Sequence, residues 1–281
     1  MIRNSIFTYV NLFIVMNKDF DLTGYCALIT GGGGLLALEH ALVLAEYGAT
    51  VVLSDVNTFN LERNKKSLET KGFTNVVCLK HDVTDKGSWM NLVNELSSNG
   101  INSIDVLVNN AAFTNASQSS NYSADFFNFD LENWESILRV NLTGTFLGCQ
   151  VIGNLMKVKG YGSIINVASL YGVVSPHHPI YPGTGISQPV AYSVSKSGVL
   201  GLTRYLATML APSKIRVNCI TPGGIFDGQS EVFVKRFQSL CPTGEMQSKT
   251  DLRGALLLLA SPAGSQIIGQ NIIVDGGWTV W

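Results

Sequence analysis

Two residues with complementary chemistry lie one helical turn apart: Tyr192 and Lys196, in the stretch 191–197. Pro189 stands just before this stretch and favours the start of a helix there. Residues four apart share a helix face, so the phenol and the ammonium would be neighbours. The ammonium would lower the pKa of the phenol, and such a pair can exchange a proton with a substrate hydroxyl or carbonyl. The alternative is a half-buried tyrosine beside a solvated lysine.

A glycine-rich turn near the amino end offers a second chemical feature. An apolar run, 25–30, predicts a buried strand and is followed by the four glycines 31–34. A helical pattern over 35–47 and a strand pattern over 50–54 come next, and Asp55 ends that strand. This order is typical of a dinucleotide-binding unit, in which glycines admit a pyrophosphate to the helix N-terminus. The alternative is a flexible glycine-rich turn.

Asp55 bears on the choice between NAD and NADP. It follows Gly31 at close to the spacing of about 20 residues that is typical of the ribose-binding acid. A carboxylate accepts hydrogen bonds from both ribose hydroxyls and repels a 2′-phosphate. The first arginine after it is Arg63. We therefore expect NAD to be preferred over NADP, with an ordinary surface aspartate as the alternative.

The alternation of strands and helices continues to the end of the chain. Strands are predicted at 76–80, 106–108, 163–167, 215–220 and 271–274, and helices at 61–71, 86–99, 131–157, 192–210, 231–240 and 250–260. This predicts one α/β domain with a doubly wound parallel sheet of about seven strands. Ligands bind at the carboxyl ends of such strands, so the residues that follow them should converge beside Tyr192: Asp55, Asp82, Asn109, Ser169 and Pro222.

Composition excludes several classes of function. The chain has 281 residues, 46% of them hydrophobic, a net charge of -1 and no basic stripe, so nucleic acid is not an expected partner. Its five scattered cysteines favour a reducing compartment, and we expect a cytoplasmic protein. His177 and His178 are adjacent with no acidic residue or cysteine nearby, which favours a loop over a metal site.

The first fifteen residues differ from the rest. The apolar stretch from Ile6 to Met16 is short and interrupted by polar residues, so no membrane span is expected. Met16 begins a segment that leads directly to the first strand. We therefore expect 1–15 to be a non-native or disordered leader, and 16–281 to form the domain.

Taken together, these motifs resemble the short-chain dehydrogenase/reductase family over about 22–278. The residues that carry the resemblance are Thr30-Gly31, Asp82-Val83, Asn109-Asn110-Ala111-Ala112, Asn141, Ser169, Tyr192 with Lys196, Arg216-Val217-Asn218, Pro222-Gly223 and Val274-Asp275-Gly276-Gly277. The resemblance implies a Rossmann fold, a homo-oligomer (dimer or tetramer), and hydride transfer between a nicotinamide and a carbonyl or alcohol carbon of a small molecule.

The resemblance also implies roles for individual residues. Tyr192 would be the acid/base, Ser169 would hydrogen-bond the substrate oxygen, and Lys196 would bind the nicotinamide ribose. Asn141 would help to hold a water chain behind Lys196. The residues that the resemblance places around the cofactor are Gly31, Gly33, Gly34, Leu35, Leu36, Asp55, Asp82, Val83, Asn109, Ala111, Tyr192, Lys196, Pro222, Gly223 and Ile225.

Two positions depart from the family pattern. The glycine turn matches T-G-x-x-G-x-x-G, with Ala37 in the last place, better than the usual T-G-x-x-x-G-x-G. In the usual register Leu35 would crowd a pyrophosphate, so we expect Gly31 and Gly34 to face the phosphates. Asp227 replaces a threonine that is common after Pro-Gly in the family. The hydrogen bond that this threonine would make to the cofactor is therefore not assigned to a residue of this chain.

The loop 171–189 is long and resembles oxidoreductases of bacterial surface-sugar and flagellin-modification (nonulosonic acid) pathways. No lysine or arginine occurs between Ser169 and Ser195. We expect His178, Tyr181 and Thr184 to contact a polyhydroxylated, sugar-like substrate, in a lid that orders on binding. The alternatives are a loop that contacts another subunit, a 3-oxoacyl-[acyl-carrier-protein]-type keto reductase, and a non-catalytic nucleotide-binding scaffold.

Overall fold

The computed structural model describes residues 18–113 and 126–281. Seven parallel strands form one sheet in the order β3-β2-β1-β4-β5-β6-β7. This confirms the predicted α/β fold with a doubly wound sheet. The strands are β1 Cys26–Thr30, β2 Thr50–Asp55, β3 Val76–Lys80, β4 Val106–Asn109, β5 Gly162–Val167, β6 Ile215–Pro222 and β7 Asn271–Val274.

Helices cover both faces of the sheet. They are α1 Ala37–Glu46, α2 Thr58–Thr70, α3 Lys86–Ser98, α4 Leu131–Leu138, α5 Gly144–Lys159, α6 Val190–Leu210, α7 Glu231–Gln238 and α8 Arg253–Ala260. In the described part of the chain no helix has the length and apolar character needed to cross a membrane. The proposed leader, 1–15, lies outside the described residues, so the domain boundary at residue 16 stays a prediction.

The core consists of two apolar layers, one on each face of the sheet. Successive strand side chains point to opposite faces, so Ala27 and Ile29 join the layer under α1 and α8, whereas Leu28 joins the layer under α3 and α5. In β4, Val108 likewise belongs to the layer under α1 and α8, and Leu107 to the layer under α3 and α5. Because every central strand is buried on both faces, the sequence shows continuous apolar runs instead of alternation.

The predicted helix over 131–157 contains a change of helix type. A π-helical turn, Arg139–Thr143, separates α4 from α5, and Asn141 lies within it. The prediction of a long helix that carries Asn141 is therefore confirmed, and the change of helix type within it was not predicted. Asn141 forms tertiary hydrogen bonds with the Phe113 backbone and with Ser195, which lie far from it in sequence. π-Turns inside helices are frequent at functional sites.

Smaller differences occur at the ends of elements. Helix α1 begins at Ala37 rather than at residue 35, and α2 begins at Thr58, where the Asn57 side chain caps the backbone of Asn60. The segment 170–189 contains two short 3₁₀ turns, Leu170–Gly172 and His178–Ile180, and is otherwise irregular.

Candidate active site

The glycine turn lies where the strand order reverses, between β1 and β4. Gly31 has a φ of +63°, and a Cβ on it would lie 2.7 Å from the Cα of Ala111. The Asn110 side chain donates to the carbonyls of Thr30 (3.0 Å) and Gly31 (3.2 Å). The Thr30 hydroxyl accepts from the backbone N–H groups of Asn110 and Ala111, both at 3.1 Å. The turn is thus fixed from the neighbouring strand.

Asp55 is joined to the same turn. Its Oδ2 accepts a hydrogen bond from the backbone N–H of Gly33 at 3.0 Å, and its Oδ1 accepts one from Asn57 at 2.9 Å. Gly33 is buried, whereas Gly34 and Leu35 are exposed where the turn leads into α1. A glycine cradle with a helix N-terminus and a carboxylate beside it fits a dinucleotide.

The predicted adenine-side residues lie at the ends of β3 and β4. The Asp82 carboxylate accepts hydrogen bonds from the backbone N–H and hydroxyl of Thr84, at 2.8 and 2.7 Å. Val83 is buried against Gly144 in α5. The Asn109 side chain is also buried and donates to Asn166 Oδ1 at 2.9 Å. The side-chain amide of Asn109 is therefore used inside the sheet, which leaves the backbone of Asn109 for the predicted cofactor contact.

Lys196 is buried in the second turn of α6. Its side chain is 2% exposed, and Nζ donates to the carbonyl of Val167, at the end of β5, at 2.8 Å. Burial lowers the pKa of Lys196 to about 8, because it penalises the charged form. Nζ lies 5.7 Å from the ring centroid of Tyr192, so the structure brings the two predicted residues together.

Tyr192 has a raised pKa. Burial is the largest cause, because it penalises the charged phenolate. A hydrogen bond with the Ser169 side chain lowers the pKa and offsets part of this effect. The expectation of a lowered phenol pKa was therefore wrong for the protein alone, since burial outweighs the other influences. Ser169, which caps the 3₁₀ turn after β5, lies next to it and completes the predicted catalytic group.

Asn141 connects β4 with α6. Its Oδ1 accepts from the backbone N–H of Phe113 at 2.6 Å, and its Nδ2 donates to Ser195 Oγ at 3.1 Å. The Ser195 hydroxyl donates in turn to the carbonyl of Tyr192 at 2.7 Å. The π-turn therefore supports the first turn of α6, where the acid/base candidate lies.

The predicted substrate residues lie in the segment 170–189. Tyr181 and Tyr171 share a hydrogen bond of 2.5 Å between their hydroxyls, and both phenols interact electrostatically with Tyr192. Thr184 donates to the carbonyl of Tyr181 at 2.6 Å. His178 is exposed and lines a cavity of about 620 Å³ that Tyr171 and Phe126 also line.

Sequence reasoning missed three residues of this region. Asn110 lies inside a recognised motif but was given no role, although its side chain holds the glycine turn. Tyr171, two positions after Ser169, was placed in the loop without a function. Gln247 contacts the segment after β6 and carries no sequence signal. Among the described residues no group of three or more His, Cys, Asp or Glu side chains could hold a metal ion.

Comparison with known proteins gives the family of this chain. Residues 35–279 match the family model described as enoyl-(acyl carrier protein) reductase. The chain is 30% identical to D-threitol dehydrogenase of Mycolicibacterium smegmatis over 93% of this chain and 95% of the relative. It is also 30% identical to the post-translational flagellin modification protein A of Campylobacter coli, over 89% of this chain and 96% of that protein.

A solved structure is also similar to nearly the whole of this chain. A gluconate 5-dehydrogenase from Burkholderia cenocepacia, in complex with NADP and tartrate, superposes with a TM-score of 0.80 at 28% identity, covering 94% of this chain and 98% of that one. The chain belongs to the short-chain dehydrogenase/reductase family and is an NAD(P)-dependent oxidoreductase.

Gly31→Ala tests the glycine cradle. The left-handed conformation costs an alanine about 1–2 kcal/mol, and here the methyl group would also meet Ala111. We expect a loss of dinucleotide binding and a lower melting temperature. Gly100→Ala is the matched control, since Gly100 has a φ of +76° and nothing within 4 Å of the added carbon. Equal losses in both variants, measured by calorimetry and thermal unfolding, would contradict the cradle.

Proposed function

We propose that this protein is a dehydrogenase of polyols or sugar-derived alcohols that prefers NAD. The observation that carries the substrate class is the Tyr171–Tyr181 hydroxyl pair, which lies in one packed cluster with Tyr192. Two phenols that share one hydrogen bond retain a second proton and free lone pairs for a further hydroxyl group. A pair of phenols of this kind suits a substrate that carries several hydroxyls. The names of two relatives, D-threitol dehydrogenase and gluconate 5-dehydrogenase, agree with this substrate class.

The chemistry follows from the arrangement of the catalytic residues. Tyr192 takes the proton of the substrate hydroxyl during oxidation, or donates one to the carbonyl during reduction. Ser169 hydrogen-bonds the same oxygen, and Lys196, held by Val167, carries the charge that stabilises the deprotonated phenol. Asn141 keeps α6 in position through Ser195, and we expect it to help to hold a water chain behind Lys196. The nicotinamide, when bound, accepts or supplies the hydride.

The cofactor would lie along the carboxyl edge of the sheet. Gly31 and Gly34 face its phosphates, and the exposure of Gly34 beside the fixed turn supports that register. Asp82 and Val83 flank the adenine. The remaining contacts are expected from Gly33, Leu35, Leu36, Asn109, Ala111, Tyr192, Lys196, Pro222, Gly223 and Ile225.

The preference for NAD rests on Asp55. Its carboxylate lies at the end of β2 and is held by the N–H groups of Gly33 and Asn57, so it would meet the adenosine ribose as a fixed negative charge. A 2′-phosphate would be repelled there. The solved relative holds NADP, so family membership does not by itself select NAD, and we expect Asp55 to make the selection in this chain.

A keto reductase acting on acyl-carrier thioesters is the second candidate, because the matching family model carries an acyl-carrier description. An acidic carrier protein needs positive charge near the cleft, and 170–189 carries none. A non-catalytic scaffold would not need Tyr192 and Lys196 in contact. A homo-oligomer, dimer or tetramer, is supported by four exposed apolar side chains on α5 and α6: Phe146, Val194, Tyr205 and Met209.

A substrate panel tests the proposed function. Polyols, sugar acids and acyl ketones are followed at the nicotinamide absorbance with each cofactor, and polyols or sugar acids should give the highest kcat/KM. Tyr192→Phe is the control for chemistry: it should bind NADH normally and lose about 10²–10⁴ in rate, as general acid/base removal does. Turnover of acyl ketones alone, or full activity of the Phe variant, would contradict the proposal.

Tyr181→Phe tests the phenol pair and the substrate contacts predicted for His178, Tyr181 and Thr184. Removing one hydroxyl takes away a hydrogen bond to the substrate, so kcat/KM for the best polyol should fall about tenfold. The kcat/KM for cyclohexanol, which has a single hydroxyl, should stay unchanged. Tyr47→Phe, at a tyrosine just after α1 whose ring packs on Phe20, is the matched control. A change of oligomeric state with unchanged kcat/KM would instead assign the loop to a subunit contact.

Asp55→Asn tests the cofactor preference. The amide keeps an acceptor for Gly33 or Asn57 but removes the charge, so the ratio of kcat/KM for NAD over NADP should fall at least about tenfold. Asp21→Asn, at an exposed position before β1, should leave the ratio unchanged. An unmodified protein that prefers NADP would show that Asp55 does not select the cofactor.

A further inference from the structure

The segment after β6 is held by the side chain of a residue from another part of the chain. The backbone N–H of Gly223 is shared between the carbonyl of Val274, at 2.9 Å, and Oε1 of Gln247, at 2.6 Å. Since Gly223 is the donor, the amide atom that faces it is the oxygen, which settles the orientation of the Gln247 side chain. Gln247 is 8% exposed, so this is a buried polar contact.

The backbone of Gln247 continues the same contact. Its N–H donates to the carbonyl of Gly224 at 2.9 Å, and its carbonyl accepts from the N–H of Phe226 at 2.8 Å. These two bonds form a parallel bridge between Gln247 and Ile225. In a parallel bridge the residue between the two bonded groups directs its own N–H and C=O to the other side. Ile225 therefore presents a donor and an acceptor away from Gln247.

The two polar groups of Ile225 are suited to a carboxamide. Its carbonyl accepts from the Gln229 side-chain amide nitrogen at 3.0 Å, which shows that this edge already receives an amide donor. Its N–H has no hydrogen bond to the described residues. A carboxamide offers one acceptor and two donors, so it can complete the edge as a neighbouring strand would.

There is little space for the segment to take another position. A Cβ on Gly223 would lie 2.8 Å from Gln247 Oε1 and 2.8 Å from the Cα of Asp275. Further along, Asp227 forms an ion pair of 2.8 Å with Lys249, two residues after Gln247. The stretch 247–249 thus holds 223–227 at both ends.

We propose that Gln247 is a positioning residue for the nicotinamide end of the cofactor. Its side-chain oxygen holds Gly223, and its backbone holds Gly224 and Phe226, so that Ile225 meets the nicotinamide carboxamide in one fixed orientation. The proposal rests on the cofactor site described above and is independent of the substrate. It makes the segment between α7 and α8 part of the cofactor site, although that segment is remote from every cofactor motif in sequence.

The test compares two ligands by isothermal titration calorimetry. NADH carries the nicotinamide, whereas ADP-ribose has the same adenine, riboses and pyrophosphate without it. In Gln247→Met, which keeps the side-chain length and loses the acceptor, NADH should bind about five- to tenfold more weakly, the typical effect of one hydrogen bond. ADP-ribose should bind within about twofold of the unmodified protein, because its contacts lie at the glycine turn.

Three further variants complete the design. Gln247→Glu retains an acceptor for Gly223 and should restore NADH binding. Gln270→Met is the matched control, since among the described residues the exposed side chain of Gln270 donates only to the carbonyl of Ile268, and it should change the affinity for neither ligand. Gln247→Asn, which is too short to reach Gly223, repeats the test if the Met variant does not fold.

The outcomes separate the hypotheses. Unchanged NADH binding in Gln247→Met and Gln247→Asn would overturn the proposal. An equal loss for NADH and ADP-ribose, with a lower melting temperature, would assign Gln247 to the fold alone and also overturn it. An unmodified protein that binds neither ligand would instead contradict the nicotinamide cofactor on which the proposed function depends.

Discussion

The hydrogen bonds between Thr30 and the Asn110–Ala111 backbone are the constraint on which the rest of the site depends. They join β1 and β4 just beyond the point where the strand order reverses, and there the helices after the two strands depart to opposite faces of the sheet. The Asn110 amide then holds the carbonyl of Gly31, which sets the position of the glycine turn. Asp55 reaches the same turn through Gly33, so the carboxyl ends of β1, β2 and β4 form one bonded unit.

Burial controls the electrostatics of the catalytic residues. The same desolvation lowers the pKa of Lys196 and raises that of Tyr192, because in each case it penalises the charged form. The carbonyl of Val167 accepts a hydrogen bond from the buried Lys196 ammonium, and the Ser169 hydroxyl offsets part of the effect of burial on the pKa of Tyr192. Burial therefore makes both groups favour their neutral forms more strongly than they would in water.

The substrate side is built from segments that are distant in sequence. Arg236 of α7 donates to the carbonyls of Pro182, at 2.6 Å, and Ile180, at 3.3 Å, so it holds the loop that carries Tyr181. The Tyr181 ring lies 5.8 Å from that of Phe233 between centroids, and the aromatic contacts continue through α7 to the residues after β7. The orientation of the phenol pair thus depends on α7 as much as on its own loop.

The sequence by itself determined the order of strands and helices, the glycine turn, Asp55, and the pairing of Tyr192 with Lys196. Apolar runs, glycines and a four-residue spacing are local properties of the chain, so they predict local structure and the strand edge where a ligand binds. Only the tertiary structure decided the π-turn at Asn141, the upward pKa shift of Tyr192, the Tyr171–Tyr181 pair and the contact of Gln247 with Gly223. Each of these depends on burial or on a hydrogen bond between residues that packing brings together, and no local pattern encodes either.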